Sequence, residues 1–195
     1  MVKALPGLDG ATAGARGLMR FVATPIDGAY LVEPTPRGDD RGFFARVWCR
    51  DEFAAHGLNA AFVQCNDSLS RHRGTLRGLH YQVAPHAEVK LIRCVRGAVF
   101  DVLVDLRPSS PTYLRWYGIE LTAANLTMLY VPEGCAHGYL ALEDDTEVMY
   151  PVTSVYRPEA ERGVRWNDPA FGIAWPDVGP LTLSTKDQAW PDYVK

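Results

Sequence analysis

The sequence lacks most of the features that announce a ligand class. It has no basic run interleaved with aromatics; 20 Lys and Arg against 23 Asp and Glu leave a net charge of −3. Nonspecific nucleic-acid binding needs a concentrated positive field, so no nucleic-acid partner is expected. No stretch reaches the roughly eighteen consecutive apolar residues of a membrane-spanning helix, so no membrane association is expected either. Residues 1–19 hold glycine, proline and alanine without a sustained apolar core, unlike a signal peptide, and the expected compartment is the cytoplasm. There is no Walker loop, no GxGxxG and no strand–helix–strand unit of nucleotide-binding length. The four cysteines, Cys49, Cys65, Cys94 and Cys135, are spread singly with no CxxC pair, which points to reduced and mostly buried thiols. Histidine is scarce, and His80-Tyr81-Gln82 stands where a metal-bearing cupin would offer His-x-His. His80 and His137 alone are too few ligands, so neither a metal nor a cofactor is expected.

What the sequence does contain is many short strands. Its 195 residues, 47% hydrophobic and 22% charged, suit one folded domain. Residues 1–19 read as a flexible lead-in and 20–195 as the domain. Phe21–Ala23 and Ala29–Val32 are strand-like, and Gly42–Trp48 returns to strand character. Asp51–His56 is the best helix candidate, with Asp51 to cap it and Gly57 to stop it. Ala61–Gln64 is strand-like, whereas Asn66–Gly74 reads as a polar turn. Leu91–Arg96, Ala98–Leu106, Tyr113–Leu121, Thr127–Val131 and Glu147–Val152 follow as strands, Pro151 suggesting an edge or an exit. Gly97, Pro111, Pro132 and Gly134 punctuate them, which predicts an all-β sandwich or barrel. The segment after Gly163 reads as loops and short helices wrapped around it.

Several residues in this frame can carry chemistry. His80 sits in a strand-like run with Arg77 and Gly78, where Gly78 permits a bulge. It is either a structural histidine or a base lining a cavity. Lys90 is either a solvated strand end or a cation for a phosphate or an enolate oxygen. His137, returned into a strand by Pro132–Gly134, either satisfies a buried network or lines the same cavity. Tyr150 is a core aromatic or a proton donor. Asp187, in the turn Ser184–Asp187, is a surface carboxylate or the group that orients a histidine.

These pieces together resemble the dTDP-4-dehydrorhamnose 3,5-epimerase family of cupin-like enzymes. The resemblance runs from about Arg20 to Pro191. It rests on Asp40–Phe44, Gln64–Asn66, Leu76–Gln82, Lys90–Arg93, Asp101–Arg107, Pro132–Gly138, Trp166–Pro169, Ile173–Pro176 and Ser184–Asp187. It implies a cupin-type jelly-roll barrel of antiparallel strands with short peripheral helices, a homodimer, no cofactor, and a nucleoside-diphospho-4-keto-6-deoxysugar as substrate. It implies His80 as general base with Asp187 beside it, Tyr150 as proton donor from the other face, and Lys90 near the keto group. Arg41, Gln64, Asn66, Arg77, His137 and Lys186 are the implied lining of the substrate pocket, with Asp101 supporting the histidines.

The chain departs from the family's pattern at three places. Arg46 stands where the family usually has Glu, Glu88-Val89 where it commonly has Gln-Gly, and Tyr113–Arg115 where a glycine is frequent. Arg46 therefore stands as a candidate selectivity residue for the nucleotide or sugar. The leading expectation is inversion at C3 and C5 of a dTDP-4-keto-6-deoxyhexose. A single-centre epimerase on another nucleotide sugar is the nearest alternative, and a non-catalytic sugar-nucleotide binder the alternative of another class.

Overall fold

Thirteen strands and two short helices make up the regular structure of the computed structural model, which describes residues 18–194. In chain order they are β1 (Met19–Ala23), β2 (Tyr30–Pro34), β3 (Arg37–Asp39), β4 (Gly42–Phe44), α1 (Arg50–Ala55), β5 (Gln64–Ser70), β6 (Leu76–Gln82), β7 (Lys90–Arg96), β8 (Ala98–Asp105), β9 (Trp116–Thr122), β10 (Met128–Val131), β11 (Cys135–Ala141), β12 (Thr146–Val152), β13 (Glu161–Gly163) and α2 (Thr185–Gln188). Most of the expected lead-in lies outside the described residues; its last residue, Met19, is buried in β1.

Every pairing between these strands is antiparallel. They form a six-stranded sheet in the order β1-β2-β10-β7-β12-β5, a five-stranded sheet in the order β13-β6-β11-β8-β9, and a separate β3–β4 hairpin. The expected jelly-roll barrel is corrected by this topology. Neither large sheet closes on itself, because β1 and β5 end one while β13 and β9 end the other. The sheets meet through side chains rather than through backbone hydrogen bonds, as in a sandwich.

The pleat decides which side chains meet. Ile92, Cys94, Leu129, Val131 and Val148 from the six-stranded sheet pack against Val99, Leu103, Leu121, Cys135 and Tyr139 from the other. The outer face of the five-stranded sheet is also covered: Leu79, Val102, Val104 and Ala136 lie under Val164, Phe171, Ile173 and Trp175 of the C-terminal segment. This is why β8 is buried along nearly its whole length rather than on alternate residues. On the far side of the six-stranded sheet, α1 presents Phe53 to Val32, Leu91, Met128 and Tyr130. Phe53 is fully buried, worth roughly 2–3 kcal/mol against exposure.

Local expectations shift for physical reasons. α1 is capped by Cys49 without a side-chain hydrogen bond, and Asp51 lies inside its first turn, where a carboxylate suits the helix dipole. The strand expected over Gly42–Trp48 stops at Phe44. Asn66–Ser70, read as a turn, belongs to β5 and pairs with β12. Pro151 lies opposite Cys65 in β12, which has partners on both sides and is therefore no edge strand.

Candidate active site

At one end of the sandwich the inner faces turn polar. From the five-stranded sheet come His80 on β6 and His137 on β11, which are direct cross-strand partners. From the six-stranded sheet come Gln64, Asn66 and Ser68 on β5, Lys90 on β7 and Tyr150 on β12, with Tyr150 opposite Asn66. Two lobes of about 250 Å³ each open between these walls. His80, Lys90 and Tyr150 line both, so the lobes form one cleft. Gln64, Asn66, Gln82, Glu88, Tyr156 and Glu161 shape the first lobe. Ser68, Arg77, His137, Tyr139, Lys186 and Asp187 shape the second.

A local irregularity in β6 brings Arg77 and His80 together. Residues three apart on a regular strand face opposite ways. Here the pairing shifts between His137↔His80 and Tyr139↔Arg77, so β6 spends one residue more than β11 and both side chains reach the second lobe. Gly78 makes this feasible. Its φ is +133°, and a Cβ there would lie 2.6 Å from the Gly138 Cα. Arg77 is then held by Ser70 Oγ and the Leu69 carbonyl, at 3.3 and 3.0 Å.

The electrostatics separate the titrating groups. His80 Nε2 donates to Asp187 Oδ1 at 2.5 Å, across 107 residues of sequence. Burial alone would raise the Asp187 carboxyl, but the His80 hydrogen bond and charge, with the Ser184 hydroxyl, outweigh it and hold the group below its ordinary range. Ser184 is also the N-cap of α2, accepting from the Asp187 N–H at 3.0 Å, so the short helix fixes the carboxylate. With Asp187 ionised, Nε2 carries the imidazole proton and Nδ1 of a neutral ring keeps its lone pair. On the opposite wall, burial pushes the Tyr150 phenol up to about 12, so it stays protonated at neutral pH.

Lys90 spans the cleft floor. Its Nζ donates to the His80 carbonyl at 3.1 Å and lies 3.3 Å from Glu88 Oε1. Glu88 in turn accepts from Gln82 Nε2 at 3.0 Å. His137 Nε2 meets Asp101 Oδ1 at 2.9 Å, and burial pushes the Asp101 carboxyl upward. Asp101 is fully buried behind His137 and does not itself line the cleft. Lys186 pairs with Glu161 at 2.5 Å, and the Tyr156 hydroxyl donates to the same carboxylate at 2.7 Å.

Of the residues singled out in the sequence, the cleft gathers His80, Tyr150, Asp187, Lys90, Gln64, Asn66, Arg77, His137 and Lys186, with Asp101 behind. It does not gather Arg41 or Arg46. Arg41 lies on the exposed β3–β4 hairpin, bound to Asp39. Arg46 is partly exposed and its guanidinium is engaged by Glu52 of α1 at 2.9 Å. Ser68, Tyr139, Gln82, Tyr156 and Glu161 line the cleft without having been singled out, and Glu88, one of the departures from the family pattern, lines its first lobe. Gln82 had a signal, since it shares strand alternation with His80. Among the described residues no three His, Cys, Asp or Glu side chains converge to hold a metal ion, and no helix is long and apolar enough to cross a membrane.

Residues 23–194 match the family model described as dTDP-4-dehydrorhamnose 3,5-epimerase. A dTDP-4-dehydrorhamnose 3,5-epimerase of Sinorhizobium fredii is 45% identical over 173 residues, covering 89% of each chain. A Bacillus anthracis enzyme of the same description, solved with TDP and pyrophosphate bound, is 43% identical with a TM-score of 0.86, covering 90% of this chain and 99% of its own. A 3'-monoepimerase from Streptomyces bikiniensis, solved with dTDP-quinovose, is 38% identical with a TM-score of 0.82, covering 88% of this chain and 86% of its own.

Proposed function

Because the chain belongs to the dTDP-4-dehydrorhamnose 3,5-epimerase family, we propose that its cleft inverts C3 and C5 of dTDP-4-dehydro-6-deoxyglucose to give dTDP-4-dehydrorhamnose. The observation that carries this reading is the placement of His80 and Tyr150 on opposite walls of one cleft, one beside an ionised carboxylate and the other held as a neutral phenol.

The 4-keto group acidifies the protons on C3 and C5. His80 Nδ1 accepts one of them. The C–H electron pair becomes the carbon–carbon double bond of an enolate, and the C4 carbonyl π pair moves onto oxygen. Lys90, which lines both lobes, stabilises that oxygen. The carbonyl then re-forms as Tyr150 delivers a proton to the opposite face of the carbon, and solvent resets both groups. No electrons are gained or lost overall, so proton carriers and an oxyanion partner suffice. Asp187 balances the charge His80 acquires and fixes its ring. Arg77 and Lys186 bring cations to the second lobe and His137 an imidazole, a set that suits the diphosphate and sugar oxygens.

The same reading includes a homodimer in the cytoplasm. Phe43 and Phe44 on the β3–β4 hairpin are 54% and 68% exposed, apolar surface that this chain's own sheets leave uncovered. Arg41 sits on that hairpin, away from its own cleft, so a neighbouring copy is where its guanidinium can meet substrate.

Proton NMR of the protein with dTDP-4-dehydro-6-deoxyglucose in deuterated water tests the activity. Loss of both the C3 and C5 proton signals, with appearance of the inverted product, is the expected result. Full proton intensity at both carbons contradicts it, and exchange confined to C3 reduces the enzyme to a single-centre epimerase.

A further inference from the structure

Trp190 packs against His80 without itself lining the cleft. Its indole meets the His80 imidazole edge-on, with ring centroids 6.1 Å apart and planes at 63°. Gly163 pairs directly with His80 in the β13–β6 register, and the indole lies where a Cβ on Gly163 would be. The Lys186 ammonium sits over the indole, 5.7 Å from the ring centre. Trp190 is thus wedged between the backbone of β13, the base, and the helix that carries Asp187. The chain around it is pinned: Arg165 N donates to the Pro191 carbonyl at 3.1 Å, and Arg165 pairs with Asp192 at 2.6 Å.

The same side chain bears on Asp187. Burial raises that carboxyl, and His80, then Ser184, then the Trp190 N–H bring it below its ordinary value. The indole Nε1 is buried with no hydrogen-bond partner of good geometry, and it acts on the Asp187 carboxyl in the same direction as His80 and Ser184.

We propose that Trp190 is a positioning residue for the His80–Asp187 pair, a wedge seated on Gly163 that fixes the imidazole against α2. The proposal rests on reading His80 as the base. Without the wedge, the space beside Gly163 lets both the His80 ring and the α2 turn move. Proton abstraction is sensitive to displacements of this size, since a misplacement of about 1 Å costs on the order of a hundredfold in rate.

The test uses the full chain and the variants Trp190→Ala, Trp190→Phe and Gly163→Ala. Three quantities are read: kcat and KM, binding of thymidine diphosphate, and the low-field proton resonance of the short His80–Asp187 hydrogen bond. Trp190→Ala is expected to lower kcat by roughly 30–100-fold with KM and nucleotide affinity within about threefold, and to abolish the low-field resonance. Trp190→Phe, which keeps an aromatic wedge, recovers kcat to within about threefold of the parent and restores the resonance. Gly163→Ala displaces the indole without altering it, and follows Trp190→Ala in both readouts. The proposal is overturned if Trp190→Ala keeps the resonance, or if its loss of kcat is matched by an equal loss of nucleotide binding. A parent enzyme that fails to epimerise the sugar would sink the activity assigned above. The resonance would still decide the role of Trp190, supporting it if Trp190→Ala abolishes the signal and overturning it if the signal persists.

Discussion

At the scale of single residues, the molecule sets its carboxylates apart by what surrounds them. Asp105 is fully buried at the end of β8 and accepts from Arg107 Nε and Nη2, both at 2.8 Å, and from the Ser110 and Thr112 hydroxyls at 2.5 and 2.7 Å. Burial would raise it, but these donors hold it at about 2 against an ordinary 3.8. A depressed carboxyl contributes stability that is present above the unfolded value and lost as pH falls through the folded one. The difference corresponds to about 2 kcal/mol. Asp105→Asn should therefore destabilise the protein by about 2 kcal/mol at neutral pH, and urea melts of the two proteins should converge as pH falls from about 4 toward 2. A gap that stays constant over that window contradicts the assignment. Residue types alone could not show this, because Asp105 and Asp101 sit four apart on one strand. Burial raises the carboxyl that faces a single histidine, and five donors, the Arg107 backbone N–H among them, lower the other. The residues by themselves likewise leave the His80–Asp187 contact open, and only the family resemblance implies it. The turn Ser184–Asp187 could be read as surface until Ser184 was seen to cap α2 and aim the carboxylate.

At the scale of elements, apolar strands were legible and the polar one was not. β7, β8 and β10 show their apolar residues in the sequence because both of their faces meet other layers, and β12 shows Val148 on the one face that meets the core. β5 reads as a turn because the side chains it turns inward, Gln64, Asn66 and Ser68, line the cleft. Its polarity is the site's polarity. β6 carries the second such departure. Gly78 could be flagged as a place for a bulge, but only the register shows that the bulge puts Arg77 beside His80. Gly78→Ala forces a Cβ toward Gly138 at a φ that alanine rarely adopts. It should cost about 1–3 kcal/mol of stability and raise KM as Arg77 swings from the second lobe. Thermal melts and steady-state kinetics check this, and a variant with parental values of both would show that the bulge does not depend on glycine.

At the scale of the whole molecule, the topology explains why the expected barrel gave way. Short alternating strands announce two apolar faces, but nothing in that pattern says whether the outermost strands hydrogen-bond to one another. Here β1, β5, β9 and β13 remain edges. The open arrangement leaves the polar ends of two inner faces opposite each other, which is how two walls of one cleft come from two sheets. It also leaves the β3–β4 hairpin as a separate two-stranded sheet with Phe43 and Phe44 exposed, the surface on which the proposed dimer rests. Light scattering at micromolar concentration should give twice the chain mass of 21.6 kDa, and a stable monomer would overturn that part of the reading.

The central claim is that the two walls divide the proton work, His80 removing and Tyr150 returning on the other face. The most direct measurement follows deuterium entry at C3 and C5 and net inversion side by side, in deuterated water, for His80→Ala and Tyr150→Phe. His80→Ala should lose both, each by about 100-fold or more, because no proton is abstracted. Tyr150→Phe removes one hydroxyl and leaves the ring. It should keep exchange near the parental rate while inversion falls by about 100-fold, since His80 still takes and returns protons on its own face. Parallel loss of exchange and inversion in Tyr150→Phe would contradict the division.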